Sequence, residues 1–256
     1  MQPTAHPRVN ALLDDLLARM RGILGDKLVG LYLGGSLAIG DFDPRLSDVD
    51  LVAALASDVD DREFDSLREM HHEVAERYPD WEGRIEVRYV PIAALNAVES
   101  PASEIVSVSP GEPFHRVGSG VEWLIDWYLV REKSITLFGR SPRSIIEPIS
   151  KDEFVRSVRS NARAWGTWID GMRRRKGQAY AILALCRALY ACRHGDQVSK
   201  LAAAHWAQGE LPEWSELIGN AVAWREAPED EAVDHAATYP ETVRFVEFAR
   251  ARIAEG

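Results

Sequence analysis

Apolar residues recur at three- and four-residue spacing from about Val9 to Ile23, at Leu12, Leu13, Leu16, Leu17, Met20 and Ile23, which predicts an amphipathic helix. A continuous apolar run, Leu28–Leu33, follows as a strand, and a second strand is expected over Asp50–Leu55. Asp60 and Asp61 place negative charge at the start of a helix running to about Arg77, and Pro79 and Gly83 mark its exit. From Arg84 to Val90 polar and apolar residues alternate, the signature of a strand with one polar face. Helix, strand, strand, helix, strand is compatible with an α/β unit whose mixed sheet carries a site on one face.

Residues 96–120 hold Pro101, Pro110, Pro113, Gly111, Gly118 and Gly120 and read as an irregular loop, long enough to act as a lid. Helix resumes near Val121–Lys133, and Ile135–Gly139 adds a short strand. Arg140-Ser141-Pro142 and Pro148-Ile149-Ser150 mark a boundary, dividing the chain into domains at 1–150 and 151–256. Beyond it only helices are expected, roughly Asp152–Met172, Ala179–Arg193, Ser199–Gln208, Pro212–Arg225 and Ala232–Ala254. The fold class is therefore α/β (α+β) with a mixed sheet, followed by an all-α helical bundle.

At 256 residues and 46% hydrophobic, the chain can build a core in each domain. No apolar run reaches membrane-spanning length, and the first residues lack a basic region followed by an apolar one, so a cytoplasmic protein is expected. Cys186 and Cys192 fall in one expected helix, about 9 Å apart along its axis, beyond disulfide reach. The formal charge of −10 is uneven: residues 1–150 carry 15 basic against 25 acidic side chains, and residues 151–256 carry 15 of each. An acidic first half disfavours a broad nucleic-acid footprint and suits Mg²⁺ and a small cationic acceptor.

Chemistry concentrates where the first strand runs into Gly34-Gly35-Ser36 and, after a loop, into Ser47-Asp48-Val49-Asp50. Carboxylates at i and i+2 on a strand face the same way, as acidic pairs that hold Mg²⁺ do while leaving positions for water and phosphate oxygens. Glycines in the preceding turn let backbone N–H groups and a hydroxyl approach a phosphate tail without Cβ interference. A third carboxylate would complete the set, and Glu86 on the next strand is the candidate, facing away from Ile85 and Val87 together with Arg84 and Arg88. The structural alternatives are a plain turn, a solvated acidic strand face, and an exposed glutamate between two surface arginines on an edge strand. Strand, glycine-serine turn, loop and acidic-x-acidic strand in that order favour metal-dependent nucleotidyl transfer.

The stretch Leu31–Leu51 resembles the signature of the polymerase-beta-like nucleotidyltransferase superfamily, and most of residues 28–215 resemble the two-domain aminoglycoside (3'')(9) adenylyltransferases. That resemblance implies a nucleotidyltransferase domain followed by a helical domain, with ATP and acceptor bound between them. It implies that Gly35 and Ser36 bind phosphate, that Asp48, Asp50 and Glu86 hold magnesium, two ions in all, and that Glu86 is the catalytic base. Asp126–Glu132 with Ile135–Gly139 resembles the family's closing helix and strand. Leu185–Tyr190 and Val198–Lys200 resemble segments whose arginine and lysine, here Arg187 and Lys200, contact the nucleotide phosphates. Trp168 aligns with an aromatic that packs on the drug, although Trp165 and Trp168 at i and i+3 also fit a core stripe.

Where that family places acidic residues to hold a cationic drug, this chain has Arg173, Arg174, Arg175 and Lys176. Such a run commonly ends a helix at its C-terminus, where cations suit the dipole; its functional reading is a less cationic or anionic acceptor. Arg187 interrupts an apolar helix and Lys200 opens one, positions where an anion nearby would be favourable. His71, His72, His194 and His205 show no zinc spacing and are taken as structural or surface, and Asp41 and Asp43 as turn residues. The expected activity is Mg²⁺-dependent transfer of AMP from ATP to a hydroxyl of a small molecule, as in antibiotic resistance. A protein or RNA acceptor, or a nucleotide-sensing module without turnover, are the alternatives.

Overall fold

A computed structural model describes residues 2–96, 103–227 and 233–255. The chain divides into two compact units, Met1–Pro148 and Ile149–Gly256. In the first, the order is α1 (Pro7–Leu24), β1 (Leu28–Leu33), α2 (Gly35–Ile39), β2 (Val49–Leu55), α3 (Asp61–Arg77), β3 (Ile85–Pro91), α4 (Ile92–Asn96), β4 (Glu104–Val108), β5 (His115–Gly118), α5 (Leu124–Lys133) and β6 (Ile135–Gly139). The second holds α6 (Lys151–Trp168), α7 (Arg175–His194), α8 (Lys200–Glu210), α9 (Ser215–Glu226) and α10 (Tyr239–Glu255).

Six strands form one mixed sheet in the order β5-β4-β3-β2-β1-β6. Only β2 and β3 run parallel, and their register sets Asp50 beside Glu86 and Val52 beside Arg88. The crossover between them is α3, started by a capping box in which Glu63 N donates to Asp60 Oδ1 (2.8 Å) and Asp60 N to Glu63 Oε2 (2.9 Å). Leu12, Leu13, Leu16 and Met20 of α1 and Leu67, Met70 and Val74 of α3 bury their apolar stripes in one core with Leu31, Leu33, Leu51, Ala53 and Leu55. Helices thus cover one face of the sheet, and the polar residues of β2 and β3 are left to the other.

Residues 103–118 are not the irregular loop that their prolines and glycines suggested. Glu104–Val108 and His115–Gly118 pair antiparallel and extend the sheet beyond β3, with Pro110, Gly111 and Pro113 confined to the turn between them. Of the proposed lid, residues 97–102 lie outside the described residues. This extension makes β3 an interior strand, so Glu86 does not sit on an edge.

In the second unit α7 supplies Ala181, Ile182, Leu185, Cys186 and Leu189 to a core shared with α6, α8, α9 and α10. Two boundaries differ from expectation. Helix α7 begins at Arg175 rather than near Ala179, so Arg173–Lys176 sits at a helix N-terminus and not at a C-terminus. The dipole disfavours cations there, and two of them find aromatic faces instead: Arg173 lies 4.7 Å from the Tyr239 ring centroid and Arg175 5.5 Å from that of Trp224. Helix α10 starts at Tyr239, seven residues after the expected start at Ala232, which itself lies outside the described residues. Between α7 and α10, buried Gln178 donates to Arg173 O (2.7 Å) and His235 O (2.8 Å) and accepts from Thr238 and Thr242 hydroxyls. Both cysteines are free thiols, and no helix among the described residues is long and apolar enough to cross a membrane.

One buried imidazole carries a pH dependence. His71 Nε2 is 2.8 Å from the hydroxyl of fully buried Tyr89, with Phe114 against both rings, and burial pulls its pKa from 6.5 down to about 4. The unfolded chain takes up this proton near pH 6.5 and the folded chain only near 4, so the stabilisation is full above pH 6.5 and is lost as pH falls toward 4. Between pH 7.5 and 5 this costs about 2 kcal/mol. Urea unfolding at the two pH values should show that drop, and His71→Gln should shrink it.

Candidate active site

Strand β1 ends at Leu33, and the chain turns through Gly34 and Gly35 into the five-residue α2. The turn is tied back to β2 by Gly34 N donating to Asp50 O at 2.8 Å. Gly35 has φ +56°, and a Cβ there would overlap the Asp50 carboxylate. Only glycine meets both conditions, so the Asp50 side chain lies flat against this turn. Gly35→Ala is expected to lower stability by roughly 1–2 kcal/mol through the left-handed backbone alone. It should also push the Asp50 carboxylate aside; thermal melts read the loss of stability.

Asp48 immediately precedes β2, Asp50 is its second residue, and both are half-buried. The loop that delivers Asp48 is pinned by Arg84, which donates to Pro44 O (3.0 Å) and to Ser47 O while lying 4.7 Å from the Trp81 ring centroid. Asp43 acts as a turn residue, its Oδ1 accepting from Arg45 N at 2.8 Å.

Glu86, opposite Asp50 on β3, is paired with Arg88. Burial pushes its carboxyl up to about 7; Arg88 opposes this, and the negative charges of Asp50, Asp126 and Asp48 add to it. Three neighbouring carboxylates therefore act on Glu86, two from the β2 segment and one from α5. Among the described residues, no three carboxylate, imidazole or thiol groups stand close enough to cage a metal ion by themselves. The donor set still fits magnesium, which is held by one or two carboxylates and completes its shell with water and substrate phosphate oxygens. Asp48, Asp50 and Glu86 could hold such an ion, and a cation there would relieve their mutual repulsion.

The sequence places Arg88 on the face of Glu86 but does not show Asp126 and Trp123 as neighbours of this centre. Arg88 Nη1 is 3.9 Å from Asp126 Oδ1, and its guanidinium lies 5.0 Å from the Trp123 ring centroid. The i, i+2 spacing of Glu86 and Arg88 was the available signal; the approach of α5 to the sheet was not.

Of the residues named in the second unit, Arg187 and Lys200 are half-buried, on α7 and at the start of α8. Lys200 Nζ lies 4.4 Å from the Tyr180 ring centroid. Trp165 is buried, but Trp168 is 46% exposed and therefore no core residue. Tyr180 is similarly open at 48%, and with Trp168 it flanks Trp165. His72, His194 and His205 are exposed.

Comparison with known proteins sorts these features. The nucleotidyltransferase domain family matches residues 17–108, and the C-terminal domain family of the aminoglycoside adenylyltransferases matches residues 144–252. No curated protein sequence matches significantly. The crystal structure of spectinomycin adenyltransferase AAD(9) from Enterococcus faecialis, with ATP and spectinomycin, shares the fold with a TM-score of 0.75, covering 95% of this chain and 98% of that chain at 16% identity. The chain thus carries a nucleotidyltransferase domain followed by a helical domain of the aminoglycoside-adenylyltransferase C-terminal type, on the fold shared with that adenyltransferase.

Proposed function

We propose that the protein transfers AMP from MgATP to a hydroxyl of a small molecule. The observation that carries this reading is the Asp50–Glu86 register across β2 and β3, with Asp48 beside it and Gly35 folded against Asp50. In the reaction an acceptor oxygen forms a bond to the α-phosphorus, the α–β phosphoanhydride breaks, and pyrophosphate leaves. Magnesium bound at Asp48, Asp50 and Glu86 would stabilise charge on the attacking and leaving oxygens. The Gly35-Ser36 turn gives the phosphates access to backbone and hydroxyl donors, and Glu86 takes the acceptor proton, a role for which a pKa near neutrality is suited.

Arg187 and Lys200 are assigned to the phosphates by the resemblance of Leu185–Tyr190 and Val198–Lys200 to phosphate-contacting segments, within the matched residues 144–252. Arg187→Ala should weaken MgATP binding about tenfold or more, the scale of a lost charge-assisted contact, without lowering the melting temperature of the apo protein. Unchanged affinity by titration calorimetry would remove Arg187 from the site.

Trp168 is assigned to the acceptor, as an exposed aromatic that precedes the basic run Arg173–Lys176 in sequence on the same unit. A pair of like charges at 4 Å repels by about 1 kcal/mol in water and about 4 near a protein surface. A less cationic or anionic acceptor is accordingly favoured over a polycation such as streptomycin. Incubation with MgATP and a panel of acceptors, read by mass spectrometry, tests this. Gain of one AMP by weakly charged acceptors is expected, and rapid stoichiometric modification of streptomycin would overturn the acceptor assignment.

A further inference from the structure

Arg88 stands two residues beyond Glu86 and shares its face of β3. Its guanidinium is held from three directions: Nη2 by Glu86 Oε1, Nη1 by Asp126 Oδ1 at 3.9 Å, and its plane by Trp123 at 5.0 Å. Trp123 is stacked in turn on buried Trp127, with ring centroids 5.9 Å apart. A guanidinium presents a rigid planar fork, so fixing it at several points fixes the direction of the group it binds. From this arrangement we infer that Arg88 is a positioning residue for Glu86, carrying the rigidity of Trp123 and Asp126 to the carboxylate. The inference rests on the reading of Glu86 as the group that takes the acceptor proton.

The physical need for such a residue comes from the neighbours of Glu86. Asp48, Asp50 and Asp126 all repel its charge, and a glutamate has three rotatable bonds by which to swing away. A base that must meet a hydroxyl within hydrogen-bond reach cannot be left to do so, because a displacement of about 1 Å can cost ~10²-fold in rate. Arg88 supplies a cation on this strand face that opposes the repulsion, and does so from a fixed place.

Arg88→Met, alone and combined with Glu86→Gln, tests the inference together with the guanidinium ¹⁵N–¹H signals of the full-length protein. In the wild type the Arg88 Nη protons should show restricted rotation, which largely persists in Glu86→Gln because Asp126 and Trp123 still hold the guanidinium. In turnover, Arg88→Met should lower kcat about 10²-fold with MgATP affinity and melting temperature little changed, and should add nothing in the Glu86→Gln background. Freely rotating Arg88 signals in the wild type, or a loss that multiplies with that of Glu86→Gln, would overturn the inference. A loss confined to MgATP affinity would overturn it also, making Arg88 a phosphate ligand. Should the wild type transfer AMP to no acceptor, the proposed activity falls, while the signals still decide whether Arg88 fixes Glu86.

Discussion

Asp50→Asn is expected to lower the rate of AMP transfer by about 10³-fold or more while leaving the protein folded. A metal ion at this position contributes several kcal/mol of charge stabilisation in the transition state, and each 1.4 kcal/mol is a factor of ten. Asp50 is half-buried, opposite Glu86 in register and flat against Gly35, so the amide fits the same space. Removing its charge also removes one of the repulsions that push the Glu86 carboxyl upward, so stability should hold or rise slightly. Steady-state rates with saturating MgATP, alongside thermal melts, measure both. Full activity in this variant would show that Asp50 is a solvated strand residue and no ligand.

Glu86→Gln is expected to slow turnover 10²–10⁴-fold, the usual scale for loss of a general base. Its outcome also separates the two roles assigned to this side chain. Retained MgATP affinity with a slow rate makes Glu86 principally the base. A parallel loss of MgATP affinity makes it a metal ligand, since removing binding common to ground and transition state raises KM without a separate effect on kcat. Because β3 is an interior strand and Arg88 stays paired to Asp126 and stacked on Trp123, the substitution should not disturb the sheet.

Much of the first unit was legible along the chain. The apolar run Leu28–Leu33, the strand Ile135–Gly139 and the helix ending at Arg77 all stand where periodicity and end signals put them. The Asp60/Glu63 capping box shows why the last of these was readable: its start is written in four adjacent residues. The hairpin of β4 and β5 was hidden because both strands are short and are defined by pairing to Tyr89 and its neighbours, contacts no local pattern announces. The N-terminus of α7 was misplaced for a related reason. Stacking of Arg173 on Tyr239 and Arg175 on Trp224, with Gln178 bonded both to Arg173 O and to residues more than fifty positions away, carries cations at a helix start.

The site shows the same division. Asp48, Asp50 and Glu86 were visible as a spaced acidic pair and a third carboxylate on the following strand. That Asp50 and Glu86 sit side by side follows from the parallel pairing of β2 and β3, and that Arg88 links Glu86 to Asp126 follows from where α5 lies. Neither can be counted off the chain. Trp168 shows the converse case, since its spacing from Trp165 fits a core stripe and only the fold leaves it open.

Pyrophosphate release from ATP, measured beside acceptor mass in the presence and absence of Mg²⁺, tests the central claim most directly. The proposed chemistry predicts one pyrophosphate released for each AMP gained by the acceptor, only with Mg²⁺, and almost none from Asp50→Asn. ATP that binds tightly yet yields no pyrophosphate with any small-molecule acceptor would contradict it.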